Sequence, residues 1–222
     1  MSPHDHCIRC GQCCLGSSPS LQLQDGPIVR EGRIKRTALF TIRVGETVRD
    51  NIEGVLRITN EEIIKLKERE DGGGCIYYDE RAKGCRIYDH RPVQCETLAC
   101  WDASPFLRAY EGPKATRKGI IEDRLLLELT ARHEEECGYY KLEGLVKAIS
   151  QEGERAVAKI LDMLRFDFTL RPFVARKMAL DLAEMDFIFG RPLIQTIGRF
   201  GLKVTREADG SFLLTPSHAR ES

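Results

Sequence analysis

The chain has 222 residues, of which 42% are hydrophobic and 31% are charged, and it carries 34 basic and 34 acidic side chains. This composition is typical of a soluble globular protein of one or two domains, and it excludes disordered and collagen-like chains. The formal net charge of zero argues against a nucleic-acid-binding protein, which normally needs a concentrated basic face.

The amino terminus lacks the basic and apolar regions of a signal peptide, and no stretch approaches the roughly 18 consecutive apolar residues of a membrane span. We therefore expect a cytoplasmic protein with no membrane partner and no nucleic-acid partner. Thiols are kept reduced in the cytoplasm, so disulfide bonds are not expected there. The nine cysteines of the chain need another explanation.

Four cysteines stand close together near the start of the chain: Cys7, Cys10, Cys13 and Cys14. A Cys-x-x-Cys unit brings two thiolates within reach of one metal ion, and Gly11 relieves the backbone of the tight turn. Three thiols spaced as Cys-x-x-Cys-x-x-Cys are typical of loops that give three ligands to an iron–sulfur cluster. Because adjacent side chains diverge, we expect one of Cys13 and Cys14 to point to another site, to a partner thiol or into the core.

The segment between the two cysteine groups is predicted to contain a strand and a helix. Apolar and polar residues alternate over residues 38–44, which predicts a half-buried strand. Thr59 and Glu62 have the spacing of a capping box, so we predict a charged helix from there to about Glu70.

A glycine-rich turn opens the second cysteine group. The run Asp71–Gly74 predicts a helix stop that lets Cys75 approach a metal, and no Lys-Ser or Lys-Thr pair follows it to suggest a phosphate-binding loop. Residues 74–78 and 84–88 are strand-like and flank a turn. We therefore expect a small hairpin with Cys75 and Cys85 near its opposite ends.

Arg91 and Pro92 predict the start of a short helix, with Cys95 one turn in. Cys100 and Trp101 close the second cysteine group. We expect the Trp101 side chain to shield the site from water.

Arg91 and its neighbour Tyr88 have two interpretations. In the structural one, Arg91 pairs with Asp89 or Glu96, and Tyr88 fills a small core beneath the hairpin. In the functional one, Arg91 holds a carboxylate or phosphate, and the Tyr88 hydroxyl donates to a cluster sulfur. The structural interpretation is preferred for both.

From Gly119 onward, apolar residues recur every three or four positions, which predicts helices. The predicted helices cover residues 120–135, 142–149, 154–165, 172–189 and 192–200. Pro172 and Pro192 mark two of the helix starts. A final hairpin is expected over residues 202–214.

The run His133–Glu136 and the adjacent Cys137 end the first of these helices. The run could form a metal site of imidazole and carboxylates, but a solvated helix face is the more ordinary interpretation. Cys137 is expected to be a buried, inert thiol.

The predicted fold class is α+β, with a small cysteine-rich metal-binding module of short strands and loops followed by a mainly α-helical carboxyl-terminal part. We place the module at residues 1–118 and the helical region at residues 119–222. The helical region is expected to pack on the module rather than to fold independently. The alternative is that it binds a protein or acyl partner along an apolar groove.

The three cysteine motifs occur in the order found in a known family. Cys-x-x-Cys-Gly-x-Cys-Cys is followed by Gly-x-Cys-x-Tyr and then by Cys-x-Ile-Tyr-x-x-Arg-Pro-x-x-Cys. Over residues 5–102 this combination resembles the YkgJ-type cysteine-cluster family, which is described as a zinc- or iron-chelating domain. The resemblance implies metal binding, and the matching cysteines are Cys7, Cys10, Cys13, Cys14, Cys75, Cys85 and Cys95. Cys100 stands where the family is less uniform.

We therefore expect eight metal-ligating cysteines, the seven above and Cys100. Their cofactor is expected to be an iron–sulfur cluster, with a 4Fe–4S cluster favoured, or zinc. A disulfide scaffold would need an oxidising compartment, and a thioredoxin-type dithiol would need a strand before its Cys-x-x-Cys, so both fit less well.

Three functional hypotheses remain open at the level of sequence. The first is a metalloprotein with a role in electron transfer, redox sensing or cluster-dependent modification. The second is a structural zinc module that shapes a surface for a protein partner. The third is a methyltransferase-like enzyme, because flagellin lysine methylases have a similar cysteine cluster. The chain is short for such an enzyme and lacks a glycine-rich nucleotide fingerprint, and no catalytic residue is assigned.

Overall fold

The computed structural model describes residues 8, 10–50, 52–70 and 74–217. In this part of the chain the helices are α1 (Gln12–Gly16), α2 (Gly26–Arg30), α3 (Val93–Thr97), α4 (Ser104–Glu111), α5 (Arg117–Ile120), α6 (Arg124–Cys137), α7 (Tyr139–Glu152), α8 (Glu154–Lys177), α9 (Met185–Phe189) and α10 (Leu193–Thr196). The strands are β1 (Leu39–Ile42), β2 (Thr47–Arg49), β3 (Leu56–Ile58), β4 (Ile63–Leu66), β5 (Tyr78–Asp79), β6 (Gly84–Cys85), β7 (Leu202–Arg206) and β8 (Phe212–Pro216).

Short antiparallel strands and helices are mixed in the first half, and helices dominate the second until the last strand pair. The mixed class and the helical carboxyl-terminal part are therefore as predicted. The strands of the described residues form the antiparallel pairs β1–β4, β2–β3, β5–β6 and β7–β8. No helix in the described ranges is both long and apolar enough to cross a membrane.

Strand β1 confirms a strand within residues 38–44, but three of its four residues are buried, so the predicted half-buried face is not found. It pairs with β4 so that Thr41 lies opposite Ile64. Strand β4 stands where a charged helix was predicted over residues 59–70, so that prediction is wrong. Ile64 and Leu66 are buried, whereas the residue between them is half-buried. This alternation has the period of a strand with one face against the core.

The side chains of the predicted capping box are engaged elsewhere. The Glu62 carboxylate accepts hydrogen bonds from the backbone nitrogen and from the Nε of Arg117, at 2.6 and 2.7 Å. The Thr59 hydroxyl is bonded to the backbone of Glu61. A distant arginine thus takes the carboxylate that a helix cap would need, and the β-branched Ile64 favours a strand.

The β2–β3 hairpin carries apolar side chains that the core does not use. The Asp50 carboxylate accepts hydrogen bonds from the backbone of Ile52 and Glu53, at 2.8 and 3.0 Å, and so stabilises the connecting turn. In β3, Leu56 is 63% exposed and Ile58 is 55% exposed. The hairpin therefore presents an apolar surface outside the core.

One hydrophobic core contains residues from both halves of the chain, among them Leu39, Ile64, Leu126, Val174 and Phe187. The Thr41 hydroxyl in β1 also donates a 2.6 Å hydrogen bond to the carbonyl of Phe187 in α9. The strand pair β1–β4 is therefore covered by the helical region. The division of the chain at residue 118 stays a prediction.

A second hydrophobic core lies beneath the final hairpin. It includes Leu142 of α7, Ile160 and Leu164 of α8, and Leu202 and Phe212 of the hairpin. The hairpin predicted over the last part of the chain is confirmed, because β7 pairs with β8 in antiparallel register.

Pro172 lies inside α8 rather than at a helix start, so that prediction is wrong. The guanidinium of the preceding Arg171 bonds Asp167, one turn earlier, at 2.8 Å, and the Gly190 carbonyl at 2.8 Å. These buried contacts stabilise α8, and the helix continues past Pro172. Pro172 itself is exposed.

The run His133–Glu136 is the predicted solvated face only in part: Glu135 is exposed and Glu136 is half-buried, but the first two residues depart from the prediction. His133 is fully buried, and its Nε2 lies 2.8 Å from a carboxylate oxygen of Asp167. Glu134 forms a 2.8 Å ion pair with Arg117. The first two residues of this run therefore belong to buried polar contacts.

The buried carboxylate of Asp167 makes stability depend on acid pH. Burial opposes its ionisation, but the hydrogen bond with His133 and the charge of Arg171 lower its pKa to about 2. Because this pKa lies below that of an unfolded Asp, about 3.9, the stabilisation is fully present above about pH 4 and is lost as the pH falls toward 2.

We predict that Asp167→Asn lowers the free energy of unfolding at pH 7 by about 3–5 kcal/mol, because the buried charge of Arg171 loses its partner. Urea titrations measure this loss, and Asp162→Asn on the exposed side of α8 is the control, with a change of about 0.5 kcal/mol at most. The wild type should also lose about 2 kcal/mol more than Asp167→Asn between pH 5 and pH 2.5. An identical pH dependence of the two proteins would contradict this account.

Candidate metal centre

The first cysteine loop turns at Gly11 and enters α1. Gly11 has a φ of +78°, and a Cβ atom at this position would lie 2.3 Å from the Tyr78 hydroxyl oxygen. Only glycine satisfies both the backbone angle and the close contact. Cys10 and Cys13 on either side of this turn are exposed. Cys7, a predicted ligand, lies outside the described residues.

Gly74 and Cys75 bring the second cysteine group against the first. The backbone N–H of Cys75 donates a 2.7 Å hydrogen bond to the carbonyl of Cys14. Gly74 has a φ of +88°, and a Cβ atom there would lie 2.1 Å from the same carbonyl oxygen. Glycine at this position therefore allows the close approach of the two groups, although residues 63–66, where a helix was predicted to lead up to it, form strand β4.

The predicted hairpin is present but shorter than expected. Each strand has two residues, and Tyr78 of β5 lies opposite Cys85 of β6. The Asp79 carboxylate accepts hydrogen bonds from the backbone N–H groups of Arg81 and Ala82 in the turn, at 2.9 and 3.0 Å. Cys75 precedes β5, so it lies outside the two-residue strands.

Helix α3 carries Cys95 and is attached to the segment that follows the first cysteine loop. It begins at Val93, directly after the proline that predicted it. The Val93 N–H donates to the Asp25 carboxylate at 2.9 Å, and the Gln94 amide donates to the Ser20 hydroxyl at 2.8 Å. These buried contacts determine where the Cys95 thiol lies.

Seven of the eight predicted ligands line one cavity of about 1100 Å³. They are Cys10, Cys13, Cys14, Cys75, Cys85, Cys95 and Cys100. The other walls come from the β1–β4 pair, the β2–β3 hairpin and α4. Trp101 also lines the cavity and is 44% exposed, so it covers the site only in part.

The thiols in this cavity influence one another electrostatically. Burial raises the pKa of Cys75, Cys85 and Cys95, and negative charge on neighbouring thiols raises that of Cys95 further. Cys13 differs, because a hydrogen bond with Cys14, whose sulfur lies 4.0 Å away, lowers the pKa of Cys13 to about 6 and raises that of Cys14. The buried thiols stay protonated at neutral pH unless a cation stabilises their thiolates.

The donor set fits a soft metal centre in its chemistry. Thiolates select zinc and iron–sulfur clusters over magnesium or calcium, and a bound metal lowers the thiol pKa. Within the described residues, however, no group of three or more His, Cys, Asp or Glu side chains is arranged to hold a metal ion. The eight-cysteine ligand set therefore stays a prediction.

Arg91 contacts Tyr88 rather than the carboxylates expected from the sequence. Its Nε donates a 2.9 Å hydrogen bond to the Tyr88 carbonyl, and its guanidinium carbon lies 3.8 Å from the centroid of the Tyr88 ring. No ion pair joins Arg91 to Asp89 or Glu96 among the residues the structure describes. Both Arg91 and Tyr88 line the cavity.

Cys137 lies in the second hydrophobic core and not in the cavity. It is fully buried, and its thiol donates to the Met163 carbonyl at 3.8 Å. Burial raises its pKa to about 12. Such a thiol is poorly reactive, in line with the expectation for this residue.

The apolar walls of the cavity were not predicted from the sequence. Ile52 and Ile58 come from the β2–β3 hairpin, and Phe106 and Tyr110 come from α4. The only local signal is the presence of large apolar residues in short segments rich in turn residues and charges. Such a signal does not show which segments face the same cavity.

A known family model matches the part of the chain that contains the cysteine motifs. Residues 6–112 match the CxxCxxCC family model, described as "Putative zinc- or iron-chelating domain". The resemblance seen in the sequence is thereby confirmed over these residues. No solved structure matches the chain.

Among curated proteins, the chain is similar to one named "Uncharacterized protein MJ0661", from Methanocaldococcus jannaschii. The two are 33% identical over 90 residues, which cover 40% of this chain and 41% of the relative. The match thus spans about two-fifths of the length of that relative.

We predict that Gly74→Ala separates the two cysteine groups, because the new Cβ atom collides with the Cys14 carbonyl. Gly54→Ala is the matched control, since Gly54 also has a positive φ, +72°, but open space around it. An alanine in the left-handed backbone conformation should lower the free energy of unfolding of each variant by about 1–2 kcal/mol. The lost hydrogen bond should cost Gly74→Ala about 1–3 kcal/mol more. Urea unfolding and metal analysis measure the effects, and equal losses of stability and metal in the two variants would refute the predicted role of this contact.

Proposed function

We propose that this chain, whose residues 6–112 belong to the CxxCxxCC family of domains described as zinc- or iron-chelating, is a thiolate-ligated metalloprotein that carries an iron–sulfur cluster. A 4Fe–4S cluster is favoured. The observation that carries the proposal is the convergence of seven cysteines, from both groups, on one cavity.

The first loop supports a cluster over a single zinc ion. Its Cys-x-x-Cys-x-x-Cys spacing gives three thiols from one short turn, whereas four-coordinate zinc more often takes two ligands from each of two clips. Cys7, Cys10 and Cys13 would be these three ligands. The fourth thiolate would come from one of the remote cysteines, Cys75, Cys85, Cys95 or Cys100. The other thiols would serve a second centre or stay unligated.

The other residues of the site would tune and protect such a centre. Arg91 places a positive charge near Cys13, Cys85 and Cys95, and its charge favours their thiolate forms. The Tyr78 side chain packs against the first loop at Gly11 and supports the turn between its cysteines. A bound cluster would supply one-electron transfer, which makes electron transfer, redox sensing or a cluster-dependent modification the proposed roles.

Zinc is the second candidate. Eight cysteines are enough for two four-thiolate sites, and the family description names zinc beside iron. In that case the module would be structural, and its exposed apolar hairpin would be the surface that meets a protein partner.

Metal and sulfide analysis separates the two candidates. We expect protein purified without oxygen to be brown, to contain iron and acid-labile sulfide in equal amounts, and to bleach on reduction or on exposure to air. Colourless protein that contains zinc and no iron would exclude the cluster and leave the structural zinc module.

Single cysteine variants test the ligand set. We expect Cys10→Ser to lose most of its metal and to destabilise the amino-terminal half, because a serine hydroxyl does not replace a thiolate ligand. Cys137→Ser is the control and should keep its full metal content, since Cys137 lies outside the cavity. Unchanged metal content in Cys10→Ser would remove Cys10 from the ligand set.

A further inference from the structure

The cavity beside the cysteines is larger than a metal centre needs. Its volume of about 1100 Å³ is comparable to that of pockets that enclose small organic molecules, roughly 300–1,000 Å³. The seven thiols form only part of its lining. A second bound molecule therefore has room next to the proposed centre.

The walls away from the thiols are apolar and incompletely covered. Ile52 of the β2–β3 turn is 45% exposed, and Ile58 of β3 is 55% exposed. Phe106 of α4 and Leu98 face the same space. Because burying apolar surface is favourable by about 25 cal/mol per Å², this wall favours an occupant with an apolar body.

The charged residues that line the cavity are mostly basic. The basic ones are Arg49, Arg57, Lys65, Lys83, Arg91 and Lys114, and the acidic ones are Asp50, Glu61 and Glu111. Arg57 is ion-paired with Asp50 and Glu53, and Lys65 with Glu68, so the positive excess comes from Arg49, Lys83, Arg91 and Lys114 against Glu61 and Glu111. This excess of positive charge occurs in a chain whose formal net charge is zero. It favours an anionic occupant over a neutral or cationic one.

Arg91 is the residue best placed to hold the anion. Its Nε is bonded to the Tyr88 carbonyl and its plane is stacked on the Tyr88 ring, which orients the guanidinium. No carboxylate among the described residues forms an ion pair with it, in contrast to Arg57, which pairs with Asp50 at 3.4 Å. A guanidinium oriented in this way suits a carboxylate, whose two oxygens accept parallel hydrogen bonds.

We propose that the cavity binds an organic monocarboxylate with an apolar body. Its carboxylate pairs with Arg91, whose charge lies near Cys13, Cys85 and Cys95, and its apolar body lies against the wall formed by Ile52, Ile58 and Phe106. This inference rests on the proposed function, because it places the carboxylate next to the proposed metal centre. It thereby names the class of ligand that the centre would meet.

Octanoate and its uncharged analogue 1-octanol test the proposal on the full-length, metal-loaded protein. Trp101, the single tryptophan of the chain, lines the cavity and reports binding by its fluorescence, and calorimetry gives an independent affinity. We expect octanoate to bind more tightly than 1-octanol. Arg91→Met should weaken octanoate binding about tenfold or more and leave 1-octanol binding unchanged, because a charge-assisted hydrogen bond contributes about 1.5–3 kcal/mol.

Two further variants complete the test. Arg124→Met removes a 93% exposed arginine outside the cavity and should leave both affinities unchanged. Ile58→Asp should weaken the binding of both probes. Equal binding of octanoate and 1-octanol by the wild type, absence of binding by either probe, or an unchanged octanoate affinity in Arg91→Met would each overturn the proposal.

Metal content is measured on the same samples. Loss of metal from Arg91→Met, with no change in octanoate affinity, would show that Arg91 serves only the metal centre and would overturn the inference. A wild type that contains no metal after anaerobic purification, yet binds octanoate through Arg91, would refute the proposed function and leave the proposed ligand. Metal-loaded protein that does not bind octanoate would refute the proposed ligand and leave the proposed function standing.

Discussion

The backbone contact between Cys14 and Cys75 is the constraint on which the candidate site depends. Its 2.7 Å hydrogen bond joins the two cysteine groups directly, and Gly74 leaves no room for a side chain between them. On one side the contact places the first loop against Tyr78, where Gly11 is needed for the same steric reason. The two cysteine groups thus contact each other through backbone atoms and glycines. Their thiol side chains are not used in this contact and line the cavity.

Buried charges connect this site to the helical part of the chain. Arg117 binds Glu62, which directly precedes β4, and also Glu134 of α6. Removing either carboxylate would leave a largely buried arginine with less compensation, which is costly. Strand β4 therefore depends on a helix from the other half of the chain for its position, and the cavity wall that it forms depends on the same contacts.

The cavity is lined by both thiols and apolar side chains, and the charge of Arg91 lies near Cys13, Cys85 and Cys95. Apolar walls lower the local dielectric, so one oriented cation acts more strongly on thiolates and on a bound carboxylate than it would in water. A metal centre among the thiols would meet the same walls, and the apolar surroundings of a centre influence the pKa and redox properties of its ligands. Metal binding and ligand binding at this site are therefore expected to influence each other.

Features set by neighbouring residues were predicted well: the strand at 38–44, the turn of the cysteine hairpin, the start of α3 and the final hairpin. The helix predicted over 59–70 and the start predicted at Pro172 failed, because each local signal was overridden by a buried arginine contact. The cysteine spacing alone indicated the thiol chemistry, since that follows from residue type and short-range spacing, and the cysteine motifs carried the resemblance to a family described as zinc- or iron-chelating. Only the tertiary structure decided that the two groups share a cavity with apolar walls and Arg91, because those residues come from separate segments that backbone contacts and packing bring together.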